Sequence, residues 1–455
     1  MELLTMTVSE VIASAVKESE VETGWGRISA RQRLAVLKDV RNEIAKYADQ
    51  LAEIEARESG KFLENSLEEV RSCIVLWDYA ITLLANEIDF GLRASRFGEN
   101  RFSSIVRRPV GPVLMITPFN YPLVVLSERL PFALAAGCPV VVKPSEVTPS
   151  STRRLCEIAR ECGLPSGAMQ VVEGDGEFGS RLVADRRFSM ISFTGSTDVA
   201  HKISKAIDHR QTRTSFELGG KNSFIVSRSA DLLEAAESAA FASTVNGGQA
   251  CIAPSRLIVH QVIQEEFKKY LLDSLVTLVE TNFQRYGVPI QQPPTTKHAS
   301  RALELLKSIQ LNPGWKQILD IEQAFPHCDL SQFVYPHVFE TSDQACPLFN
   351  EEFFAPYLAL TTFTSVEQAI NLANSGSYGL AAYFWTNSDD ELAKFVSTVR
   401  AGRQWHNCDM RDSNPGIPIG GFGLSGIGRE LGPDALNWYQ QPIGLISTKN
   451  QAVAR

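Results

Sequence analysis

Four short apolar runs, Val113-Leu-Met-Ile, Pro139-Val-Val-Val, Met169-Gln-Val-Val and Met190-Ile-Ser-Phe, recur between stretches of helical pattern. Strand, helix, strand at this rhythm implies parallel pairing with crossover helices, an α/β nucleotide-binding architecture beginning near Gly111. A second α/β section runs from Ser223-Phe-Ile-Val to about residue 410, with Arg256-Leu-Ile-Val and Tyr357-Leu-Ala-Leu as further strand candidates. The residues before Gly111 read mostly as helices. Ser29-Ala-Arg-Gln-Arg-Leu opens on an N-cap candidate followed by apolar residues at helical spacing, and the aromatic-bearing segment from Leu67 to Ile88 continues the pattern. Around Arg101 to Val106 the pattern turns to alternation, as in an exposed hairpin. Residues 285–335 carry the least pattern, and a Gly-rich loop, Gly416 to Gly432, precedes a short tail. A chain of 455 residues has room for two or three domains.

Composition narrows the function. A formal net charge of −8 argues against a general nucleic-acid binder. No stretch approaches the roughly 18 to 20 apolar residues that span a bilayer, so no membrane partner is expected. The opening Met-Glu-Leu-Leu-Thr carries an acid where a secretory signal needs a basic and then apolar run, and the chain reads as cytoplasmic. Eight cysteines stand at 73, 138, 156, 162, 251, 328, 346 and 408; none forms Cys-x-x-Cys and none has zinc-ligand spacing, so no metal is expected. By default each is a small buried hydrophobe.

Two segments match G-x-G-x-x-G, Gly174-Asp-Gly-Glu-Phe-Gly179 and Gly421-Phe-Gly-Leu-Ser-Gly426. Both cannot grip a pyrophosphate. The first reads as a loop that starts a helix, the second as a turn-rich closing loop with no strand before it. Phe193-Thr-Gly-Ser-Thr197 is the better phosphate candidate, since it follows a strand and opens the helical stretch 198–207. An ordinary hydroxyl cap of that helix explains it equally well.

Three segments carry chemistry-bearing residues in small-residue surroundings. Cys251 lies in Asn246-Gly-Gly-Gln-Ala-Cys-Ile, where glycines let backbone and ligand approach closely. Glu217 lies in Phe216-Glu-Leu-Gly-Gly-Lys-Asn222, a carboxylate beside paired glycines. Asn120, in Ile116-Thr-Pro-Phe-Asn-Tyr-Pro122, ends a strand of the proposed sheet. Taken singly, a structural cysteine, a solvated acid and a turn-forming asparagine account for them as well.

Together they resemble the aldehyde dehydrogenase superfamily, from about Gly26 to Lys449. The resemblance is carried, in the family's order, by Pro118-Phe-Asn-Tyr-Pro122, Ala135-Ala-Gly-Cys-Pro139, Lys143-Pro-Ser-Glu146, Phe193-Thr-Gly-Ser196, Glu217-Leu-Gly-Gly-Lys221, Gly248-Gln-Ala-Cys251, Glu351-Glu-Phe-Phe354 and Gly426-Ile-Gly-Arg-Glu-Leu-Gly432. It implies a Rossmann-type cofactor domain (residues 1–96 and 109–217), an α/β catalytic domain (218–435) and a small β oligomerisation element (97–108 and 436–455), in a homodimer or homotetramer. It further implies Cys251 as nucleophile, Asn120 with the Cys251 backbone N–H as oxyanion hole, and Glu217 as the base that activates water to hydrolyse a thioester. NAD would lie against Ile116, Thr117, Pro118 and Phe119. Lys143, Ser145 and Glu146 would meet its adenine ribose, Gly195 and Ser196 its pyrophosphate, and Leu218, Gly219, Glu352 and Phe354 its nicotinamide end. Glu146 favours NAD, because a carboxylate accepts from a 2′-hydroxyl and repels a 2′-phosphate; Lys143 offsets that repulsion, which leaves NADP open.

The chain departs from the family in opening near its first long helix, without the usual N-terminal strands. Ala355 replaces the glycine of the Glu-Glu-x-Phe-Gly-Pro motif, Gly423 replaces the usual lysine of the closing loop, and residues 285–345 follow the family poorly. By position, the substrate pocket is expected after Asn120, at Ala250 and Ile252, on the helix near Trp77 and on loop 405–415. Glu128, Asp409, Arg411 and Asp412 there point to a polar aldehyde such as a semialdehyde, or are plain solvated charges. A CoA-acylating semialdehyde dehydrogenase on the same fold is the enzymatic rival, but that subgroup generally lacks the glutamate found at 217. A non-catalytic binding or structural relative is the other rival, and such a chain would be expected to have lost Cys251, Asn120 or Glu217.

Overall fold

A computed structural model of the chain describes residues 7–90, 95–96, 102–312, 314–319, 321, 325, 330, 333–341 and 346–447. Residues 97–101 and 448–455 of the expected oligomerisation strands, and Cys328, lie outside the described residues. The N-terminal helices form as the pattern requires. Ser29 caps the helix Ala30–Lys46 in a reciprocal box with Gln32, which satisfies two otherwise orphaned N–H groups, and Leu37, Val40 and Ile44 make its buried stripe. The long helix Leu63–Phe90 packs against it.

The first sheet holds β1 (Val113–Ile116), β2 (Val140–Lys143), β3 (Met169–Val171), β4 (Met190–Thr194) and β5 (Arg213–Glu217), all parallel, in the order β3-β2-β1-β4-β5. Its first four strands are buried on both faces. Val113, Met115, Val140 and Val142 join the long N-terminal helices in one core, while Leu114, Val141, Ile191 and Phe193 join the helices Gly176–Ala184 and Thr197–Ile207 in another. Burial on both sides is why these runs read as continuously apolar. The strand expected from Pro139 starts one residue later, and the Pro139 carbonyl accepts from Val113 N at 2.9 Å.

The second sheet holds β6 (Asn222–Val226), β7 (Pro254–His260), β8 (His337–Glu340), β9 (Tyr357–Phe363), β10 (Ala381–Trp385) and β11 (Arg403–His406), in the order β8-β9-β7-β6-β10-β11, with the short strand Lys316–Gln317 antiparallel on β8. A third, antiparallel sheet pairs Phe102–Pro109 with Gln440–Ser447 along their full length and with Ser95–Arg96. The alternating segment therefore finds its main partner in the tail rather than in a local hairpin. Ile105, Ile443, Leu445 and Ile446 stand exposed on this ribbon. The closing loop returns to the first sheet, where Gly426–Ile427 lies antiparallel on β5, with Gly426 opposite Glu217.

Two consequences position the site. In the first sheet the strand order reverses between β1 and β4, and a crevice opens beyond the carboxyl ends at such a switch point. The link from β5 to β6 is only residues 218–221, so the carboxyl end of the first sheet faces the amino end of the second.

Candidate active site

Asn120, Glu217 and Cys251 converge where the two sheets face each other. Asn120 follows β1, Glu217 is the last residue of β5, and Cys251 lies three residues before β7. The helix Leu232–Thr244 delivers the chain to Cys251 through three successive left-handed residues, Asn246 (φ 53°), Gly247 (φ 66°) and Gly248 (φ 74°). A Cβ on Gly248 would stand 2.5 Å from the Pro356 nitrogen, so only glycine passes there. Asn222, at the start of β6, then pins the cysteine: its Nδ2 donates to the Cys251 carbonyl at 2.7 Å and to the Ala253 carbonyl at 2.8 Å.

The Asn120 amide is buried. Its Nδ2 donates to the Gln249 carbonyl at 2.8 Å, while Asn246 Nδ2 donates to the Asn120 carbonyl at 2.9 Å. Glu217 is buried too, and its Oε1 has no hydrogen-bond partner among the described residues. Burial pushes the Glu217 carboxyl up to about 8, against the opposing pull of Arg129. Burial, reinforced by the charges of Glu128, Glu217 and Glu352, pushes the Cys251 thiol up to about 12. The site thus holds a protonated thiol and a carboxyl poised near neutrality, with a fixed amide close by.

The cofactor candidates line the crevice at the switch point. Ile116 stands level with Lys143 and Phe193 at the carboxyl ends of β1, β2 and β4. The Thr117 hydroxyl is buried without a partner among the described residues, and Phe119 packs on His298 and edge-on to Phe354. Lys143 is buried, its ammonium lowered by desolvation, with Nζ 3.9 Å from the carboxylate of the largely exposed Glu146. The Ser145 hydroxyl accepts from Val147 N within its own turn. Ser196 caps the helix Thr197–Ile207, accepting from Val199 N at 3.4 Å, and Gly195 donates its N–H to the Glu217 carbonyl at 3.1 Å. At the other end, Leu218 N is bonded to the Ser425 carbonyl, and the Glu352 carboxylate accepts from Gly220 N at 3.0 Å. It lies so close over Gly219 that a Cβ there would stand 2.1 Å from Oε2. Phe354 takes a left-handed φ of 53°. An orphaned hydroxyl, a capped helix start and a carboxylate seated on glycine, strung along one crevice, fit an extended dinucleotide.

Neither G-x-G-x-x-G segment lies at the switch point. Gly174 to Gly179 follows the edge strand β3, and Asp175 caps its helix by accepting from Phe178 N at 2.9 Å, which puts a carboxylate where a phosphate would need room. Gly421 to Gly426 leads into the opposite edge.

Two further charged residues, unremarked in the sequence, share the site. Arg129 is buried, with Nη1 bonded to the Val125 carbonyl at 2.6 Å and to Glu128 at 3.2 Å, and with Nε 3.6 Å from Glu430. Glu430 accepts from Ser215 Oγ at 2.6 Å and Tyr439 OH at 3.0 Å. The available signal was a Glu-Arg pair inside the apolar stretch Pro122 to Ala136, since charges in such a run are rarely solvated.

The pocket residues need correction. Trp77 is fully buried, its indole N–H on Ser127 Oγ, and lines no open space. Asp409 is 1% exposed, bonded to Ser238 Oγ at 2.8 Å and to Arg411 Nη2 at 2.6 Å, so it ties loop 405–415 to the helix Leu232–Thr244 and is unavailable to a ligand. Glu128 is different: its side chain is 13% exposed and supplies the largest charge acting on the Cys251 thiol. Among the described residues no three His, Cys, Asp or Glu side chains could hold a metal ion, and no helix is long and apolar enough to cross a membrane.

Comparison with known proteins agrees with this geometry. Residues 4–442 match the aldehyde dehydrogenase family. Phenylacetaldehyde dehydrogenase of Pseudomonas fluorescens is 34% identical over 95% of this chain and 86% of its own. The NADP/NAD-dependent aldehyde dehydrogenase PuuC of Escherichia coli (strain K12) is 34% identical over 92% of this chain and 83% of its own. An indole-3-acetaldehyde dehydrogenase solved with NAD+ superposes with a TM-score of 0.90 at 27% identity, covering 97% of this chain and 88% of that one. The chain therefore belongs to the aldehyde dehydrogenase family, as an NAD(P)-dependent oxidoreductase that acts on aldehydes.

Proposed function

We propose that the chain oxidises a polar aldehyde to its carboxylic acid, with Cys251 as nucleophile, Asn120 as oxyanion donor and Glu217 as hydrolytic base. The observation that carries this reading is the meeting of a buried Glu217 and a half-buried Cys251 at the facing ends of β5 and β7, beside the buried Asn120 amide. Glu217 takes the proton of the Cys251 thiol and passes it to solvent, the thiolate attacks the carbonyl carbon, a C–S bond forms, and the carbonyl π electrons move onto oxygen beside Asn120 Nδ2. When bound, an oxidised nicotinamide held by Glu352 and Phe354 would serve as the hydride acceptor for the same carbon. Loss of that hydride leaves a thioester on Cys251. Glu217 takes a proton from water, hydroxide adds to the thioester carbon, the C–S bond breaks with its electrons going to sulfur, and the Glu217 proton returns to it to give the thiol.

Lys143, Glu146, Ser196 and Glu352 would hold the dinucleotide, and Glu146 favours NAD over NADP. The 13%-exposed Glu128 carboxylate, with Arg403 in its field, supports a polar or charged substrate. The exposed Ile105, Ile443, Leu445 and Ile446 support a homodimer or homotetramer built on the ribbon. Unbridged cysteines such as Cys73, Cys138 and Cys156 support a reducing, cytoplasmic setting.

The test is steady-state kinetics on matched polar and long alkyl aldehydes, with NAD and NADP, in the presence and absence of CoA. Reduced cofactor formed without CoA, and lost in Cys251→Ala, is the expected result. Turnover only with CoA would overturn the hydrolytic assignment, and a clear preference for long alkyl aldehydes would overturn the polar one.

A further inference from the structure

A buried ionic cluster that takes no part in the reaction above meets the chain just after Asn120. Gly60, with φ of 71°, ends the helix Ala48–Ser59 and turns Lys61 inward between Glu55 on that helix and Glu69 on the helix Leu63–Phe90. All three side chains are almost wholly buried, with Lys61 Nζ 3.6 Å from Glu55 Oε2 and in a closer ion pair with Glu69. Each carboxylate spends its other oxygen on backbone of the short helix Pro122–Ser127. Leu123 N donates to Glu55 Oε1 at 3.0 Å, and Val124 N donates to Glu69 Oε1 at 3.1 Å. The Lys61 ammonium also lies over the Tyr121 ring, 4.5 Å from its centre.

These contacts fall on residues 121, 123 and 124. A short helix left without a side-chain cap needs acceptors for its first N–H groups, and one serine or threonine would normally serve. Here the acceptors come from two different helices, and burying three ionisable groups is costly unless each is paired. Burial, followed by the charge of Glu69, raises the Glu55 carboxyl well above its usual range, which brings the cluster toward charge balance. What three struts provide and a local cap cannot is a fixed position of Tyr121 to Val124 relative to the N-terminal helices. Asn120 is held from the other side by Asn246 on its carbonyl and by Gln249 on its amide.

We propose that Lys61, Glu55 and Glu69 are positioning residues that hold the Asn120 amide where the oxyanion forms beside Cys251. This rests on the reading of Asn120 as oxyanion donor. A displacement of about 1 Å at such a donor costs up to about a hundredfold in rate, so a working strut is expected to show in kcat.

The experiment is a double-mutant cycle between Glu69→Gln and Asn120→Ala, with Lys61→Arg as a second variant that keeps the positive charge but changes its reach. Glu69→Gln preserves an acceptor of the same size for Val124 N and loses the ion pair. Thermal unfolding and the alkylation rate of Cys251, which needs no oxyanion donor, are measured in parallel. The expected result is a fall in kcat of about tenfold in each strut variant, with KM and alkylation rate near those of the parent and with no further fall when Glu69→Gln is added to Asn120→Ala. If Asn120→Ala lowers kcat and the strut variants do not, or if the effects multiply, the triad is ordinary scaffolding and the proposal is overturned while the oxyanion reading stands. If Asn120→Ala leaves kcat intact, the oxyanion reading falls and takes the proposal with it. If Glu69→Gln does not fold, Lys61→Arg decides alone: a fall in kcat that vanishes in the Asn120→Ala background supports the proposal, and parent-like kcat overturns it.

Discussion

The Asn120 side-chain amide donates to the Gln249 carbonyl at 2.8 Å, joining the loop beyond β1 of one sheet to the turn before Cys251 of the other. That bond ties the proposed oxyanion donor to the segment that carries the proposed nucleophile. Asn120→Ala should lower kcat by about 10² to 10³ with a far smaller change in cofactor affinity, the scale measured for loss of a single oxyanion donor. Steady-state kinetics alongside a cofactor titration checks it; loss of cofactor binding with kcat retained would reassign the residue.

Glu217 gives a pH dependence in two observables. As a base with its carboxyl near 8, it is active only when ionised, so kcat should rise as pH passes about 8, and Glu217→Gln should lose that rise along with most of the activity. Stability runs the other way. The folded carboxyl binds its proton more tightly than the unfolded one, whose value lies near 4.5, so this contribution is full below about 4.5 and is lost as pH rises to about 8. Its slope is about 1.4 kcal/mol per pH unit, and Glu217→Gln should flatten it in denaturant titrations at pH 5 and pH 8.

Gly219 should prove specific to the cofactor. A Cβ at this position would collide with the Glu352 carboxylate at 2.1 Å, and a side-chain tip can swing away at little cost to the fold. Gly219→Ala should therefore raise KM for NAD about tenfold or more, while the unfolding temperature and Cys251 alkylation stay close to the parent's. A large loss of stability instead would mean the segment 218–221 is held more rigidly than its neighbours indicate.

Glu128 contributes the largest charge opposing ionisation of Cys251. Glu128→Gln should lower the thiol's pKa and speed alkylation of Cys251 by iodoacetamide at pH 8 to 9, a gain of function at the thiol. The same variant should shift the substrate range away from polar aldehydes. An unchanged alkylation profile would place Glu128 too far from the thiol to act on it.

Much of the cofactor fold was readable because β1 to β4 are buried on both faces, which leaves uninterrupted apolar runs such as Val140-Val-Val. β5 was not, since Arg213 and Thr214 are only partly buried and dilute the run. β10, Ala381-Ala-Tyr-Phe-Trp, is fully buried between the turn-rich flanks 375–379 and 386–390, but a five-residue apolar run has no alternation to separate it from a buried helical segment. The alternation near Val106 was readable, but its partner, some 340 residues away in the tail, was not.

At the site, the sequence by itself determined which residue types were available for chemistry. A cysteine, a glutamate and an asparagine stood in small-residue settings, with glycines where backbones must pass closely, as at Gly248, where a Cβ would meet the Pro356 backbone. The tertiary structure decided what those residues do to one another. Only the meeting of two sheets end to end surrounds Glu217 and Cys251 with apolar walls and neighbouring carboxylates and so raises their pKa values to about 8 and about 12, since desolvation depends on what surrounds a group in space. The same fold turned Asp409 from a candidate ligand contact into a tie with Ser238 and Arg411, and it brought Arg129, Glu430 and the Lys61 cluster to the site from distant helices and loops.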